Sequence, residues 1–483
     1  MKLNKFIKLI SKYIISEKVV LKDVVLTNIT ADSREALLGS VFFCIRGENA
    51  DGHDFVDQAF KNGAFLAVGE NSVDRENYIR VESALSVLKE VSAIFYDNPQ
   101  NKLKMIGVTG TNGKTTITHM IESGLENRLK CGVIGTLGYK FSDKVLEARN
   151  TTPFIWKWYE LLNKMVLDKF EVVVSEISSH GLEQERVAGT KFDVAVFTNL
   201  SRDHMDYHFD MESYYRAKKK LFEEHLKEEG VAVINVDDIY GERLYSELSD
   251  KANKVAVSLK KKGVDLYVDV KEQTLNGSVV IFKYKDKSLK KLIPMAGRFN
   301  VYNAACSIMA CERFTGFELS VANICKKISV PGRMEEIKNE SVYIDYAHTP
   351  DALENILSTI KEVAGSGRII VVFGAGGNRD KGKRPEMGRV VCKYADIVFI
   401  TDDNPRNEDP SAIVTDIKSG CSQHLCDIHV IHDRSEAIKK AIDLKRRDDV
   451  VIIAGKGAEN YQITKHGKKF FSDKLEVEKY FER

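Results

Sequence analysis

Residues Met105–Thr116 read Met-Ile-Gly-Val-Thr-Gly-Thr-Asn-Gly-Lys-Thr-Thr: an apolar strand, a turn holding two glycines, and the start of a helix. No other segment constrains the fold as much. A strand that turns directly into a helix belongs to a βαβ unit, and such units build mostly parallel sheets with helices on their faces. Backbone N–H groups of the turn, with the helix N-terminus behind them, cradle polyphosphate. Lys114 is then placed to reach the outer phosphates and the Thr115 hydroxyl to help hold Mg²⁺, with Thr109, Gly110, Thr111, Asn112 and Gly113 forming the cradle. The general phosphate-loop pattern has a glycine where Val108 stands, so this is a shorter form, Gly-Thr-Asn-Gly-Lys-Thr.

The 483 residues suggest about three domains on length alone. Three blocks are visible. The first alternates short strands, such as Ser40–Arg46, with helical stretches and ends at the Asn98-Pro99-Gln100-Asn101 turn. The second opens at Met105 and continues through strands at Glu171–Ser175, Val194–Leu200 and Val231–Asn235, and a helix is predicted over Glu212–Glu229. The third begins near Val330 and repeats the alternation at Arg368–Gly374, Ile397–Asp402, His429–His432 and Val450–Ala454. Unbroken apolar runs such as Val172-Val173-Val174 predict parallel strands covered on both faces, and hence an α/β doubly wound sheet. No internal repeat or low-complexity tract is present.

Charge and cysteine usage exclude whole classes. Lys+Arg number 72 against 70 Asp+Glu, a net charge of +2, so a nucleic-acid-coating protein is not expected. The Met1–Val20 stretch mixes Lys with Ile and Leu at helical spacing and is not a signal peptide; no apolar run is long enough to span a bilayer, so a soluble cytoplasmic chain is expected. Eight scattered cysteines make no disulfide framework. Cys421, His424, Cys426, His429 and His432 cluster, but their spacing fits no usual zinc pattern, and they are expected to face solvent. Gly374-Ala-Gly-Gly-Asn-Arg379 fails the dinucleotide fingerprint because Arg379 takes the third glycine position, so no NAD is expected.

The short phosphate loop resembles that of the Mur ligase family, the amide-forming ligases of peptidoglycan synthesis. Further segments look like family signatures in the same order: Asn150-Thr-Thr-Pro153, Ser175-Glu-Ile-Ser-Ser-His-Gly-Leu182, Asn199-Leu-Ser-Arg-Asp-His-Met-Asp206, Gly297-Arg-Phe-Asn-Val-Tyr-Asn303, Val330-Pro-Gly-Arg333 and Asp345-Tyr-Ala-His-Thr-Pro350. The resemblance implies three domains: 1–99 for the UDP end of the substrate, a P-loop-type ATPase domain at 100–330, and a Rossmann-like domain at 331–483 for the amino acid.

It also implies roles. Glu176 and His204 would hold Mg²⁺ and, with Lys114, serve catalysis; the group Asp203, His204, Asp206 and His208 could suggest zinc, but a metal held by phosphate oxygens and carboxylates suits Mg²⁺. Lys218 lies on an apolar stripe with Tyr215, Phe222 and Leu226, where desolvation favours the neutral amine. By itself that pattern also fits a snorkelling lysine. The resemblance implies a carbamylated lysine (N6-carboxylysine) that ligates metal. Asn303, Arg333 and Asp345 would contact ATP. Ser33, Glu48, Asn49 and Ala50 would hold the uridine diphosphate, and Asn150, Thr151, Thr152, Ser178, Gln184 and Arg186 the muramoyl dipeptide. Asp403-Asn404-Pro405-Arg406, with Arg379, Gly455 and Glu459, is similar to the site of family members that add meso-diaminopimelate to UDP-N-acetylmuramoyl-L-Ala-D-Glu. Asn378 and Ala458 depart from the family pattern. An L-lysine-adding ligase, and a nucleotide-switched regulator without ligase chemistry, are the rival readings. The partners implied are small molecules only, on a monomer.

Overall fold

The strand Lys104–Thr109 and the helix Lys114–Leu125 form where the phosphate-loop pattern puts them, and Gly113 joins them at φ 89°. In this computed structural model the described residues are 1–482 except 21, 22, 48, 49, 142, 143, 251, 327, 328 and 422–424. They divide into two compact units: Met1–Gly107 with Leu129–Asp193 and Glu224–Lys227, and Val108–Arg128 with Val194–Glu223 and Glu228–Arg483.

The first unit contains a five-stranded sheet in the order Ile14–Lys18, Tyr78–Val81, Ala64–Gly69, Ser40–Phe43, Ile29–Thr30. Its pairs are parallel except the first, and Phe42, Cys44, Ala67 and Tyr78 pack a core against the helix Val56–Lys61. The same unit carries Val172–Glu176 beside Cys131–Gly135 in parallel register. Every residue of Val172–Glu176 is buried, as an unbroken apolar run covered on both faces requires.

In the second unit, most of Phe192–Phe197 and of Leu226–Asn235, with Asn253–Ser258, are followed across the sheet by a meander, Leu266–Thr274, Gly277–Tyr284 and Lys287–Ile293. The meander is antiparallel within itself. A six-stranded sheet follows in the order Glu335–Glu336, Val342–Asp345, Val450–Ala454, Ile369–Phe373, Ile397–Ile400, Asp427–Val430. All its neighbours are parallel but the first pair. One face packs Leu357, Val371, Met387 and Ile417, the other Ile370, Phe399, Ile438 and Val477. Both faces are covered, as a doubly wound sheet demands. Arg434 fixes the closing helix Asp473–Phe481 with a fully buried, two-pronged pair to Asp473 at 2.7 and 2.8 Å.

Three expectations need correction. The helix predicted over Glu212–Glu229 spans Met211–Glu223, and Leu226 opens a strand rather than continuing the apolar stripe. Lys227-Glu228-Glu229 favours helix by propensity, but the β-branched run beyond Gly230 draws these residues into its strand. The N-terminal helix stops at Ile10, after which Ile14–Lys18 joins the first sheet. In the Cys/His cluster, Cys426 is buried in the core rather than facing solvent, and the His429 ring stacks on Phe399; His424 lies outside the described residues. No helix among the described residues is long and apolar enough to cross a membrane.

Candidate active site

The phosphate loop is braced from behind by the segment after the strand Phe192–Phe197. Thr111 N–H donates to the Asn199 carbonyl at 2.9 Å, Asn112 N–H to Asn199 Oδ1 at 3.0 Å, and Ser201 N–H to Thr111 Oγ1 at 3.0 Å. At Gly110 (φ 147°) any Cβ would run into the Thr198 side chain, and at Gly113 into the Asn303 amide. Both positions therefore demand glycine. Lys114 Nζ donates to the carbonyls of Gly110 and Thr111 at 2.9 and 2.8 Å. Arg333 lies over the Tyr346 ring and donates to Thr115 Oγ1 at 2.9 Å. Burial pushes the Asp345 carboxyl up, against the pull of Arg333 and of the Met334 and Ala347 N–H groups, each 2.7 Å from it. Thr109 is buried at the strand end.

Lys218 is 1% exposed and donates to the same Gly110 carbonyl at 2.8 Å, with its ammonium 4.5 Å from the Tyr214 ring centroid. Burial, then the Lys114 charge, drives its pKa well below the usual lysine range, opposed by Asp203. Two lysines thus converge on one neutral oxygen, an arrangement that favours an unprotonated amine on the buried one. His204 follows with φ 57°, its ring 3.5 Å from the Asp203 carboxylate.

The third-block residues also come together. Asn404 Nδ2 donates to Glu459 Oε2 at 3.0 Å, and Gly455 (φ 113°) passes close to Asp403 Oδ2. Pro405 and Arg406 follow the strand Ile397–Ile400, and Arg406, at φ 56°, donates to the Gly377 carbonyl at 2.9 Å. Burial lowers the Arg406 pKa, as does nearby Arg379, while Asp403 and Glu459 oppose this. Arg379 is exposed and pairs with Asp206 at 3.5 Å.

In the first unit, Thr152 Oγ1 donates to the Glu176 carbonyl at 2.9 Å and accepts from Ser178 N–H at 2.9 Å, while Ser178 Oγ caps the short helix Ser179–Glu183. Arg186 donates to the Thr152 carbonyl at 2.8 Å and to Gln184 Oε1 at 2.6 and 3.0 Å, and stacks over Phe154. The Asn150 carbonyl accepts from the Tyr139 hydroxyl, and Thr151 contacts Thr136. Thr136 also donates to both Glu176 oxygens, at 2.8 and 3.1 Å. Ser33 is buried behind Asp32, whose pKa falls to about 2 beside Arg34 and Arg149. Ala50 lies just before Asp51, which forms a β-bridge with Arg46; Glu48 and Asn49 lie outside the described residues.

Sequence reasoning missed two groups, Lys456 and Thr136, and the partners of a third, Asp203. Lys456, fully buried, joins Glu459 at 3.0 Å and Asn404 at 3.3 Å; its signal was its place between Gly455 and Glu459. Asp203, buried, faces Lys383 at 3.4 Å and His348 at 3.8 Å. Thr136, which holds Glu176, carried no local signal. Among the described residues no three His, Cys, Asp or Glu side chains gather as a preformed metal cluster.

With this geometry in hand, similarity to known proteins is informative. Family models match along most of the chain: "Mur ligase family, catalytic domain" at residues 25–104, "Mur ligase middle domain" at 108–311 and "Mur ligase, glutamate ligase domain" at 332–457. A UDP-N-acetylmuramoyl-L-alanyl-D-glutamate–2,6-diaminopimelate ligase from Clostridium acetobutylicum is 41% identical over 451 residues, covering 91% of this chain and 92% of that one. One from Aquifex aeolicus is 42% identical over 451 residues, covering 92% and 91%. A solved structure of a ligase of the same name superposes with TM-score 0.64 at 32% identity, covering 96% of this chain and 97% of that one.

Proposed function

The chain belongs to the Mur ligase family, and from that premise we propose how its residues act as an ATP-dependent ligase that adds meso-2,6-diaminopimelate to UDP-N-acetylmuramoyl-L-alanyl-D-glutamate in peptidoglycan synthesis. The single observation that carries the choice of amino acid is the third-block pocket. There Arg406 lies near Arg379 and near the carboxylates of Asp403 and Glu459, so cationic and anionic groups surround one guanidinium. The far end of meso-diaminopimelate is itself an ammonium and a carboxylate. Lysine lacks the carboxylate and leaves the guanidinium unmatched.

The γ-phosphoryl of ATP passes to the D-Glu side-chain carboxylate, giving an acyl phosphate and ADP. The amine of diaminopimelate then attacks the acyl carbon, and phosphate leaves from the tetrahedral intermediate. Lys114 swings from its carbonyls to the outer phosphates as the loop fills, stabilising charge that develops there. Arg333 and Asp345 frame the nucleotide, with Asn303 above the loop. Arg186, Thr152, Ser178, Gln184, Asn150 and Thr151 orient the muramoyl dipeptide, while Ser33 and the Glu48–Ala50 loop take the uridine diphosphate. The domain division 1–99, 100–330 and 331–483 follows these three tasks.

The donor set suits Mg²⁺: a hydroxyl, Thr115; a carboxylate pre-oriented by two donors, Glu176; and His204, with phosphate oxygens supplying the rest. A Mg²⁺ ion held by these groups would supply neutralisation of phosphate charge. Lys218, whose burial favours the neutral amine, would take up CO₂ as R–NH₂ + CO₂ → R–NH–COO⁻ + H⁺, adding an anionic ligand. The enzyme works as a monomer on small molecules in the bacterial cytoplasm, without nucleic acid or membrane. Phosphate release is the test: it should require ATP, the muramoyl dipeptide and diaminopimelate together. Equal release with lysine overturns the choice of amino acid, and release without dipeptide overturns the ligase chemistry.

A further inference from the structure

Segment 202–206 and loop 379–383 meet through a ladder of three ion pairs. Arg202 pairs with Asp380 at 3.4 Å, Asp203 with Lys383 at 3.4 Å, and Asp206 with Arg379 at 3.5 Å. Adjacent Arg202 and Asp203 have opposite signs, so exchanging their partners would set like charges against each other. Lys383 is the first residue of the helix Lys383–Tyr394, where a cation opposes the helix dipole, and it is 7% exposed. Such a placement needs a carboxylate, and Asp203 is that carboxylate. Although burial pushes the Asp203 carboxyl up, His348, His204 and Lys383 together pull it well below the usual carboxylate range.

One side of the ladder reaches the phosphate loop, since Ser201 exchanges hydrogen bonds with Thr111. The other side ends at Arg379, beside the amino-acid pocket. We propose that Arg202, Asp380 and Lys383 are positioning residues, a latch that holds the Arg379 loop against the segment bracing the phosphate loop and so sets amino-acid affinity. This rests on the reading that the third-block pocket takes the incoming amino acid.

The test compares KM for diaminopimelate with KM for ATP in the full-length protein. Lys383→Met should raise the first ~10-fold or more and leave the second within ~2-fold, and Lys383→Arg should recover most of the loss. Asp380→Asn drops the charge yet keeps the Oδ1 acceptor for Gly382 N–H at 2.9 Å. It and Arg202→Met should each raise KM for diaminopimelate ~3-fold, and the double variant no further, as coupled residues behave. Should Lys383→Met not fold, this surface cycle decides alone. A wild-type KM in Lys383→Met, or effects that multiply in the double variant, overturn the latch. Hydrogen exchange needs no substrate: the cycle variants should loosen 376–383 and 199–206 together, and unchanged protection overturns the latch. If the wild type releases no phosphate with diaminopimelate, the functional reading fails while exchange still judges the latch.

Discussion

Two pockets in the same unit each bury a lysine, and they treat it in opposite ways. Lys218 donates a hydrogen bond to the Gly110 carbonyl, shares that oxygen with Lys114, and is driven towards the neutral amine. Lys456 is equally inaccessible but meets Glu459 at 3.0 Å, with Asp403 at 3.8 Å. The phosphate-loop pocket therefore collects cations and awaits an anion. The third-block pocket is already charge-matched and accepts a ligand bearing both signs. Burial alone does not say what a lysine does; the partner says it.

The selectivity of the charge-matched pocket gives the largest expected effect. The wild type should favour diaminopimelate over lysine by ~10³-fold or more in kcat/KM, because lysine leaves a half-buried guanidinium without its carboxylate. Arg406→Ala should reduce diaminopimelate use far more than lysine use, and Arg406→Lys should recover only part, since a point charge lacks the fork. A ratio unmoved by Arg406→Ala breaks this side of the comparison.

The cation-rich pocket is tested next. Lys114→Ala should cost at least ~100-fold in kcat, with the melting temperature nearly unchanged. Near-normal turnover would remove the phosphate assignment.

Stability then separates the two lysines directly. Lys456→Met leaves Glu459 and Asp403 without their cation and should cost about 2–3 kcal/mol by denaturant titration. Lys218→Met removes an amine with a neutral acceptor and should be neutral or stabilising, although catalysis is lost. Lys218→Ala should regain part of its activity with short carboxylates that fill the vacated space, and Lys218→Arg, which cannot be carbamylated, should stay inactive. Equal destabilisation by Lys456→Met and Lys218→Met would erase the contrast.

The smallest effect is in acid. Asp203 has a folded pKa below its unfolded value of about 3.9, so the unfolded chain takes up its proton first as pH falls. Its stabilising contribution is whole above that value and disappears below it. The melting-temperature gap between wild type and Asp203→Asn should therefore narrow as pH drops from about 5 towards 2, and a constant gap would contradict this.

Much of this was readable in the sequence because local chemistry repeats at short range. Val172–Val174 announced a strand covered on both faces, and the Gly110–Thr115 loop announced its own geometry. The meander Leu266–Ile293 was not anticipated, since its strands mix Lys and Glu with apolar residues, and half-exposed strands of that kind look like loops or helices. The inward face of Lys218 was legible from its stripe with Tyr215 and Phe222, although the same periodicity ran too far and swept in Leu226. Thr136 and Lys456 stayed hidden for another reason. The partner of Thr136, Glu176, is 40 residues away; Lys456 has Glu459 three residues on, but the contacts that bury it, with Asn404 among them, come from 52 residues away, and no window along the chain brings such pairs together.

Gly110 shows how little room the loop leaves for drift. Its φ of 147° and the Thr198 side chain, which would collide with any Cβ, are separate obstacles. Trimming Thr198 to alanine would remove the nearest atom but leave its Cβ and the Asn199 carbonyl about 3 Å from the added carbon, and the torsion unmet. Lineages descending from this chain consequently have no two-step path, through either residue first, to a different amino acid at position 110. An inhibitor whose affinity depended on backbone contact at that glycine would face a target unable to escape by changing it.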